Sequence, residues 1–165
     1  MLLLGWVVGK GATPVDDWFQ RYWDSPARRL ALITSPRVLV VVLVVVLLVA
    51  LYRRRWLLAA ATALAPIVGI GFVQLLKPVF GREKGGGLAY PSGHVTTLVV
   101  VMGLVVLVAG CTWWAVLVAV AAILLSMVGV GITFHYFTDT VGGLLLGSAI
   151  VCAVALTSGH VPRRT

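Results

Sequence analysis

Five long apolar runs, separated by short polar intervals, set the pattern of the chain. The runs are rich in Val, Leu, Ala and Ile and carry almost no charge, which is typical of helices in lipid rather than of one-sided soluble helices. Strand signals are absent, and an isolated strand in lipid would leave its backbone without hydrogen bonds. The runs predict five full membrane-spanning helices, over residues 38–52, 56–76, 95–109, 114–134 and about 140–157.

The first 37 residues predict a partial helix followed by a segment at the membrane surface. Residues 1–9 are apolar but too short for a bilayer core, which needs about 20 helical residues. They form either the stub of a sixth helix or an interfacial anchor; a signal peptide is not favoured, because no basic residue precedes the run. Residues 10–37 mix charges with aromatic side chains, which settle at headgroup depth. Asp16, Asp17 and Asp24 are expected to be surface residues or helix caps.

Composition favours an integral membrane protein, since 61% of the residues are apolar and 11% are charged. Thirteen Lys and Arg against five acidic residues give a net charge of +8, which in a soluble protein would suggest nucleic-acid binding. Here the cations form short clusters between apolar runs, so we expect contacts with membrane lipids and none with nucleic acid. Cys111 and Cys152 are expected to be small packing residues rather than a disulfide.

Residues 1–165 therefore predict one all-α domain, a polytopic transmembrane helix bundle with five full spans and a short N-terminal partial helix. Arginines predict its orientation, because cytoplasmic loops are enriched in Lys and Arg. The triple-arginine turn at residues 53–55 and the tail arginines Arg163 and Arg164 are then cytoplasmic. Counting crossings places the 77–94 loop and the His135 corner on the extracytoplasmic side of an inner membrane.

Two polar stretches stand out against this apolar background. The first, residues 76–94, ends in Pro91-Ser92-Gly93-His94, and the second is His135-Tyr136-Phe137-Thr138-Asp139. His94 opens the third predicted span and His135 closes the fourth. Because two antiparallel helices joined by a tight turn return to the same side, both imidazoles are expected at one membrane face. Lys77, at the end of the second span, is expected there as well.

The residue types in these stretches suit a phosphate. Ser92 can cap the third span and leave the amides of Gly93 and His94 free to meet an anion at the helix N-terminus. Asp139 follows His135 by four residues, a spacing that lets a carboxylate hold one ring nitrogen and leave the other as a nucleophile. The cations that would hold anionic oxygens are Lys77, Arg82 and Lys84.

The order of these motifs resembles the membrane branch of the type-2 phosphatidic acid phosphatase superfamily. That family has a Lys with Arg-Pro seven and eight residues later, then Pro-Ser-Gly-His, then Ser-Arg, five residues, His, three residues and Asp. The resemblance spans about residues 70–150, and the chain departs from the family pattern in two places. Lys84 and Gly85 stand where the family has Arg-Pro, and Val128-Gly129 stands where it has Ser-Arg.

The resemblance implies a membrane phosphatase that acts on a lipid phosphate or diphosphate without a metal or other cofactor. His135 would be the nucleophile that forms a phosphohistidine, Asp139 its orienting group, and His94 the general acid. The residues that would hold the phosphoryl oxygens are Lys77, Arg82, Lys84, Ser92 and Gly93. A polyprenyl phosphate, diphosphate or phosphosugar phosphate is preferred over a phosphatidic acid-type lipid as substrate.

Three other hypotheses remain open from the sequence. The missing family arginine at Gly129 suits a weak or inactive phosphatase-like subunit that binds a lipid phosphate or a partner. The two histidines and Asp139 could instead ligate a metal, although the polar loop supplies few further ligands. A channel or transporter component has less support, because the charges gather at one face rather than along the spans. Whether the protein forms a homo-oligomer stays open.

Overall fold

The computed structural model describes residues 1–159; the tail arginines and His160 lie outside the described residues. Helices make up 77% of the structure, and a two-residue antiparallel hairpin, β1 (Glu83–Lys84) with β2 (Gly87–Leu88), closes the polar loop. The described helices are α1 (Leu2–Val8), α2 (Pro14–Gln20), a 3-10 helix (Pro26–Thr34), α3 (Pro36–Tyr52), α4 (Trp56–Phe80), α5 (Gly93–Val108), α6 (Trp113–Ile132) and α7 (Phe137–Thr157).

The hairpin corrects the expectation that the chain has no strand. Gly85 and Gly86, the two residues between β1 and β2, both have positive φ angles, 60° and 81°. Two consecutive residues with positive φ form the tight turn that suits a two-residue hairpin, and glycine adopts it without steric cost. The turn folds the polar loop back on itself beside the end of α4.

Local signals set the helix ends near the polar loop. Ser92 caps α5 by accepting a hydrogen bond from the Val95 N–H, and Ser35 caps α3 in the same way ahead of Pro36. Gly81 ends α4 in the left-handed conformation, with a φ angle of 59°. These caps decide where the apolar runs start and stop as helices.

Helix length contradicts the prediction of five full spans. Among residues 1–159, three helices are long and apolar enough to cross a membrane: α4, α6 and α7. A fourth span results only if α3 and the 3-10 helix, which meet at 41°, count as one bent crossing. α5 has 16 residues, a length of roughly 24 Å, which is shorter than a hydrocarbon core of about 30 Å. The chain is thus a helical membrane protein with fewer full-length helices than its apolar runs suggested.

α5 lies at the centre of the bundle, where α3, α4, α6 and α7 all pack against it. α7 approaches α5 closely, because glycines of α7 face α5. A Cβ atom at Gly143 would come within 2.6 Å of the Ser92 carbonyl oxygen, and one at Gly147 within 2.7 Å of Val99. Any side chain there would push the two helices apart, so the glycines hold the start of α7 against the start of α5.

The loops gather at two opposite ends of the bundle. At one end, Arg53 donates to the Val108 carbonyl at 2.9 Å and Arg55 to that of Leu107 at 3.2 Å. The triple-arginine turn therefore lies beside the turn between α5 and α6. At the other end, the Tyr90 hydroxyl donates to the Met1 carbonyl at 2.6 Å, so α1 packs on the polar loop.

The cysteines are not in the core. Cys111 and Cys152 are free thiols, and both are exposed on the surface of the bundle. Cys111 lies in the turn after α5, and Cys152 lies on α7. The two cysteines are free rather than joined in a disulfide, as expected, but their exposure contradicts the predicted role as packing residues.

Candidate active site

His94 and His135 lie next to each other at the end of the bundle that carries the polar loop. The Nδ1 atom of His94 is 3.4 Å from the Nε2 atom of His135, and the ring centroids are 5.5 Å apart. His94 belongs to the first turn of α5 and stacks on Phe134, with ring centroids 5.1 Å apart. The stacking holds the His94 ring where it meets the edge of the second imidazole.

His135 is held in the corner between α6 and α7. Its backbone N–H donates to the Val130 carbonyl at 3.1 Å, which ties it to the end of α6. On the other side, Asp139 accepts the Tyr136 N–H at 2.9 Å and caps α7. The corner is closed from both sides, and only 7% of His135 is exposed.

Asp139 lies beside His135 without a hydrogen bond to it. Asp139 Oδ2 is 3.8 Å from His135 Nδ1, which is too long for a hydrogen bond, and Nδ1 has no other partner within residues 1–159. Both carboxylate oxygens are engaged elsewhere, Oδ2 by the Tyr136 N–H and Oδ1 by Arg82. The orienting role expected of Asp139 therefore requires a closer approach than this structure has.

The surroundings of His135 keep its ring neutral. Burial is the largest cause that lowers its pKa, to about 3, and the neighbouring His94 and Lys77 act in the same direction. A neutral imidazole has one ring nitrogen with a free electron pair. At neutral pH the His135 ring is thus in the state that a nucleophile needs.

Arg82 is saturated with hydrogen bonds and fully buried. A guanidinium has five N–H donors, and each has a partner here. The acceptors are Gly11 O (3.2 Å from Nε and 2.8 Å from Nη2), Thr138 Oγ1 (2.6 Å), Asp139 Oδ1 (2.8 Å) and Asp16 Oδ2 (2.7 Å). Arg82 therefore has no donor left for a phosphate, contrary to the sequence-based expectation. It fixes the Asp139 carboxylate instead.

Asp16 belongs to the same buried network, which the sequence analysis missed. It is fully buried, accepts hydrogen bonds from the Thr138 N–H and hydroxyl, and pairs with Arg82 at 2.7 Å. Burial acts to raise the pKa of Asp16, but hydrogen bonds from Thr138, Thr13 and Arg82 together lower it. The carboxyl is thus ionised, and α2 is an integral part of the site rather than a surface segment.

A cleft of about 420 Å³ opens beside the two histidines. Its polar end holds His94, His135, Lys77 and Gly93, so the structure brings these predicted site residues to one cleft. The rest of the wall is largely apolar and comes from α3 and α4, with Leu39, Val40, Leu43, Pro66, Ile70 and Val73. Such a cleft combines a charged end with an apolar wall along the bundle.

Lys84 and Ser92 do not line this cleft. The Lys84 ammonium donates to the His135 carbonyl at 2.6 Å and lies 5.0 Å above the Tyr136 ring. Burial is the main cause that lowers the pKa of Lys84, to about 8. Ser92 is fully buried as the cap of α5, and its N–H donates to the Asp139 carbonyl at 3.0 Å. Lys84 and Ser92 thus hold the backbone of His135 and Asp139 and do not face the cleft.

The space beside Gly129, a position where the sequence resemblance led us to look for an arginine, is occupied by another part of the chain. A Cβ atom at Gly129 would lie 2.2 Å from the Ala31 backbone nitrogen and 2.6 Å from the Leu30 carbonyl carbon. The 3-10 helix thus packs directly on α6 at this glycine. No side chain fits at position 129 unless this helix moves.

Within residues 1–159, no group of three or more His, Cys, Asp or Glu residues is placed to hold a metal ion. No protein-family model matches the chain, and no characterised protein or solved structure compared with it is significantly similar.

Proposed function

We propose that the protein is a membrane phosphatase that hydrolyses the phosphate monoester or diphosphate of a lipid through a phosphohistidine. The observation that carries this proposal is the pair of imidazoles, 3.4 Å apart, at the charged end of an apolar cleft. The proposal agrees with the resemblance of the two histidine motifs to type-2 phosphatidic acid phosphatases. A lipid phosphate has the matching shape, an anionic head on an apolar chain.

In the first step, His135 Nε2 attacks the phosphorus atom. An N–P bond forms, the P–O bond to the lipid breaks, and the electron pair stays on the departing oxygen. His94, adjacent to Nε2, gives that oxygen a proton as general acid. The neutral state of His135 favours this attack, because no proton must first leave the ring.

In the second step, a water molecule attacks the phosphohistidine. His94, now neutral, accepts a proton from the water as the new P–O bond forms and the N–P bond breaks. Inorganic phosphate leaves, and both imidazoles return to their starting states. His94 is thus the general acid of the first step and the general base of the second.

Positive charge at the polar end of the cleft would stabilise the phosphoryl oxygens. Lys77 lines the cleft and supplies a positive charge, and the amides of Gly93 and His94 lie at the N-terminus of α5, where the helix dipole favours an anion. Arg82 does not contact the phosphate in this proposal; it holds the Asp139 carboxylate, and Lys77 and the α5 amides bind the phosphoryl oxygens.

The apolar wall between α3 and α4 supports a lipid over a water-soluble ester. Half-exposed and exposed apolar side chains of both helices continue the cleft outward, so a carbon chain would enter sideways from the bilayer. By the positive-inside rule the site faces the extracytoplasmic side of an inner membrane. Polyprenyl phosphates, diphosphates and phosphosugar phosphates are our preferred substrates, ahead of phosphatidic acid-type lipids.

The test is phosphate release by the purified full-length protein against a panel of lipid phosphates, with EDTA present. We expect release that His135→Asn and His94→Asn abolish. Tyr52→Asn serves as the matched control, since Tyr52 is 90% exposed in the end of α3 away from the site. Equal release by wild type and His135→Asn would refute the proposal.

A second candidate is a lipid phosphate-binding subunit without turnover. The saturated Arg82 and the occupied space at Gly129 favour it, because they leave the cleft with fewer cations than the sequence suggested. For this candidate we expect lipid phosphate to bind with micromolar or tighter affinity while no phosphate is released. Binding that depends on Lys77, measured with no turnover for any lipid, would select it.

A further inference from the structure

A second cleft, of about 370 Å³, adjoins the first on the far side of His94. The two clefts share Thr34, Pro36 and His94, whereas His135 lines only the first. His94 therefore stands between them. A ligand that lies along both clefts passes the nucleophile first, then the general acid, and then the second cleft.

Two arginines of the 3-10 helix, Arg28 and Arg29, line the second cleft. The helix that carries them is fixed, because its backbone at Leu30 and Ala31 packs against Gly129 of α6. Thr34 adds a hydrogen bond from its hydroxyl to the Ala31 carbonyl at 2.7 Å. The cations are thus presented to the cleft from a packed segment rather than from a loose arm.

Both guanidinium groups lack an acidic partner. Arg28 lies 5.5 Å above the Trp23 ring, and among residues 1–159 no carboxylate is within 4 Å of either arginine. Arg82, by contrast, is paired with two carboxylates. Two exposed guanidinium groups that have no carboxylate partner among residues 1–159, carried on a packed helix beside His94, favour an anionic ligand, which they can bind with paired N–H donors.

We propose that Arg28 and Arg29 form a second phosphate subsite, which binds the phosphate of the leaving group and makes a lipid diphosphate the preferred substrate. The inference rests on the proposed function. In a diphosphate, the terminal phosphoryl group lies at His135 and the bridging oxygen lies at His94. The inner phosphate then lies in the second cleft beside His94, and its lipid chain runs over Thr34 and Pro36, which line both clefts, to the apolar wall of α3 in the first cleft.

The bond changes follow from this order. The His135 nitrogen bonds to the terminal phosphorus, and the bond from that phosphorus to the bridging oxygen breaks. The bridging oxygen leaves with the inner phosphate and takes a proton from His94, so the first product is a lipid monophosphate. Arg28 and Arg29 stabilise the negative charge that gathers on this product. Water then releases the terminal group as inorganic phosphate.

Binding of inorganic diphosphate and inorganic phosphate to the full-length protein in an uncharged detergent tests the subsite without turnover of a lipid. We expect diphosphate to bind about tenfold tighter than phosphate, and Arg28→Gln/Arg29→Gln to remove that preference while phosphate affinity changes less than twofold. Arg37→Gln is the matched control, because Arg37 is an exposed arginine of the adjoining α3 that does not line either cleft.

Either of two results would overturn the subsite. Wild-type protein could bind phosphate and diphosphate equally, or Arg37→Gln could weaken diphosphate binding as much as the double variant. The second result would show a general surface attraction for anions. These results differ from those expected if the proposed phosphatase function is wrong. In that case the protein still binds diphosphate more tightly than phosphate, but His135→Asn does not change phosphate release.

Discussion

Replacing Arg82 with Met tests how much the buried ion pairs of Arg82 with Asp16 and Asp139 stabilise the fold. Asp16 and Asp139 have no exposed side-chain surface, and Arg82 is the cation that separates them. Without it, two buried carboxylates face each other and five hydrogen bonds are lost. Breaking a buried ion pair by removing one partner costs about 3–5 kcal/mol, and we expect this variant at the upper end of that range.

Thermal unfolding of the detergent-solubilised protein measures this loss. For a chain of this size about 1 kcal/mol corresponds to 2–4 °C, so the unfolding midpoint should fall by on the order of 10 °C. Arg82→Lys should fall less, because an ammonium keeps the charge but has three donors instead of five. Arg37→Met, at an exposed arginine, should change the midpoint by at most about 2 °C. If Arg82→Met matched that control, the network would not stabilise the fold as argued.

Three more predictions follow from single residues. Gly129→Ala should cost about 3 kcal/mol, the upper end of the usual cost of overpacking, because its Cβ would overlap the Ala31 backbone, whereas Gly71→Ala, in open space, should be neutral or slightly stabilising in the same unfolding assay. The Lys84 ammonium, with a pKa of about 8, donates to the His135 carbonyl; kcat/KM should therefore fall as pH rises through 8 in wild type, because the nucleophile loses this contact, and Lys84→Arg should keep its activity there. The pKa of His135 is lowered from 6.5 to about 3, so the neutral ring makes its full contribution to the free energy of unfolding above pH 6.5 and loses it as pH falls toward 3. The unfolding midpoint of His135→Gln should therefore fall less over this pH range than that of wild type.

The meeting of His94 and His135 could be expected from the sequence because it depends on local features. A short turn between α5 and α6 returns the chain to the same end, and the histidines stand at the outer ends of those two helices. Lys77 reaches the same cleft for a similar reason, since it lies in the last turn of α4. Spacing along the chain was sufficient information for these three residues.

The role of Arg82 could not be expected, because its partner is remote. Asp16 is 66 residues away along the chain, and the pattern around Thr13 and Asp16 indicates only a capped helix. Nothing in the spacing shows that this helix packs on the corner before α7. An arginine in a polar loop is usually solvated, and a solvated guanidinium has free N–H donors. The sequence therefore favoured a contact between Arg82 and a phosphate.

The number of spans was wrong for a different physical reason. Apolar composition shows that a segment avoids water, but a central helix such as α5 can be apolar because neighbouring helices surround it. Its length is set by the Ser92 cap and the turn at Gly110, which leave 16 residues. Gly129 was interpreted from the sequence as a lost arginine. In the structure its missing side chain lets the backbone of the 3-10 helix pack directly on α6.

The most direct test of the central claim is to trap the phosphoryl group on the enzyme. Lipid phosphate or diphosphate labelled at the terminal phosphorus is mixed with excess full-length protein, quenched within one turnover at alkaline pH, and analysed by peptide mass spectrometry. We expect one acid-labile phosphoryl group on the peptide that contains His135, and none in His135→Asn. Phosphate release with no label on that peptide, or release that His135→Asn leaves unchanged, would contradict it.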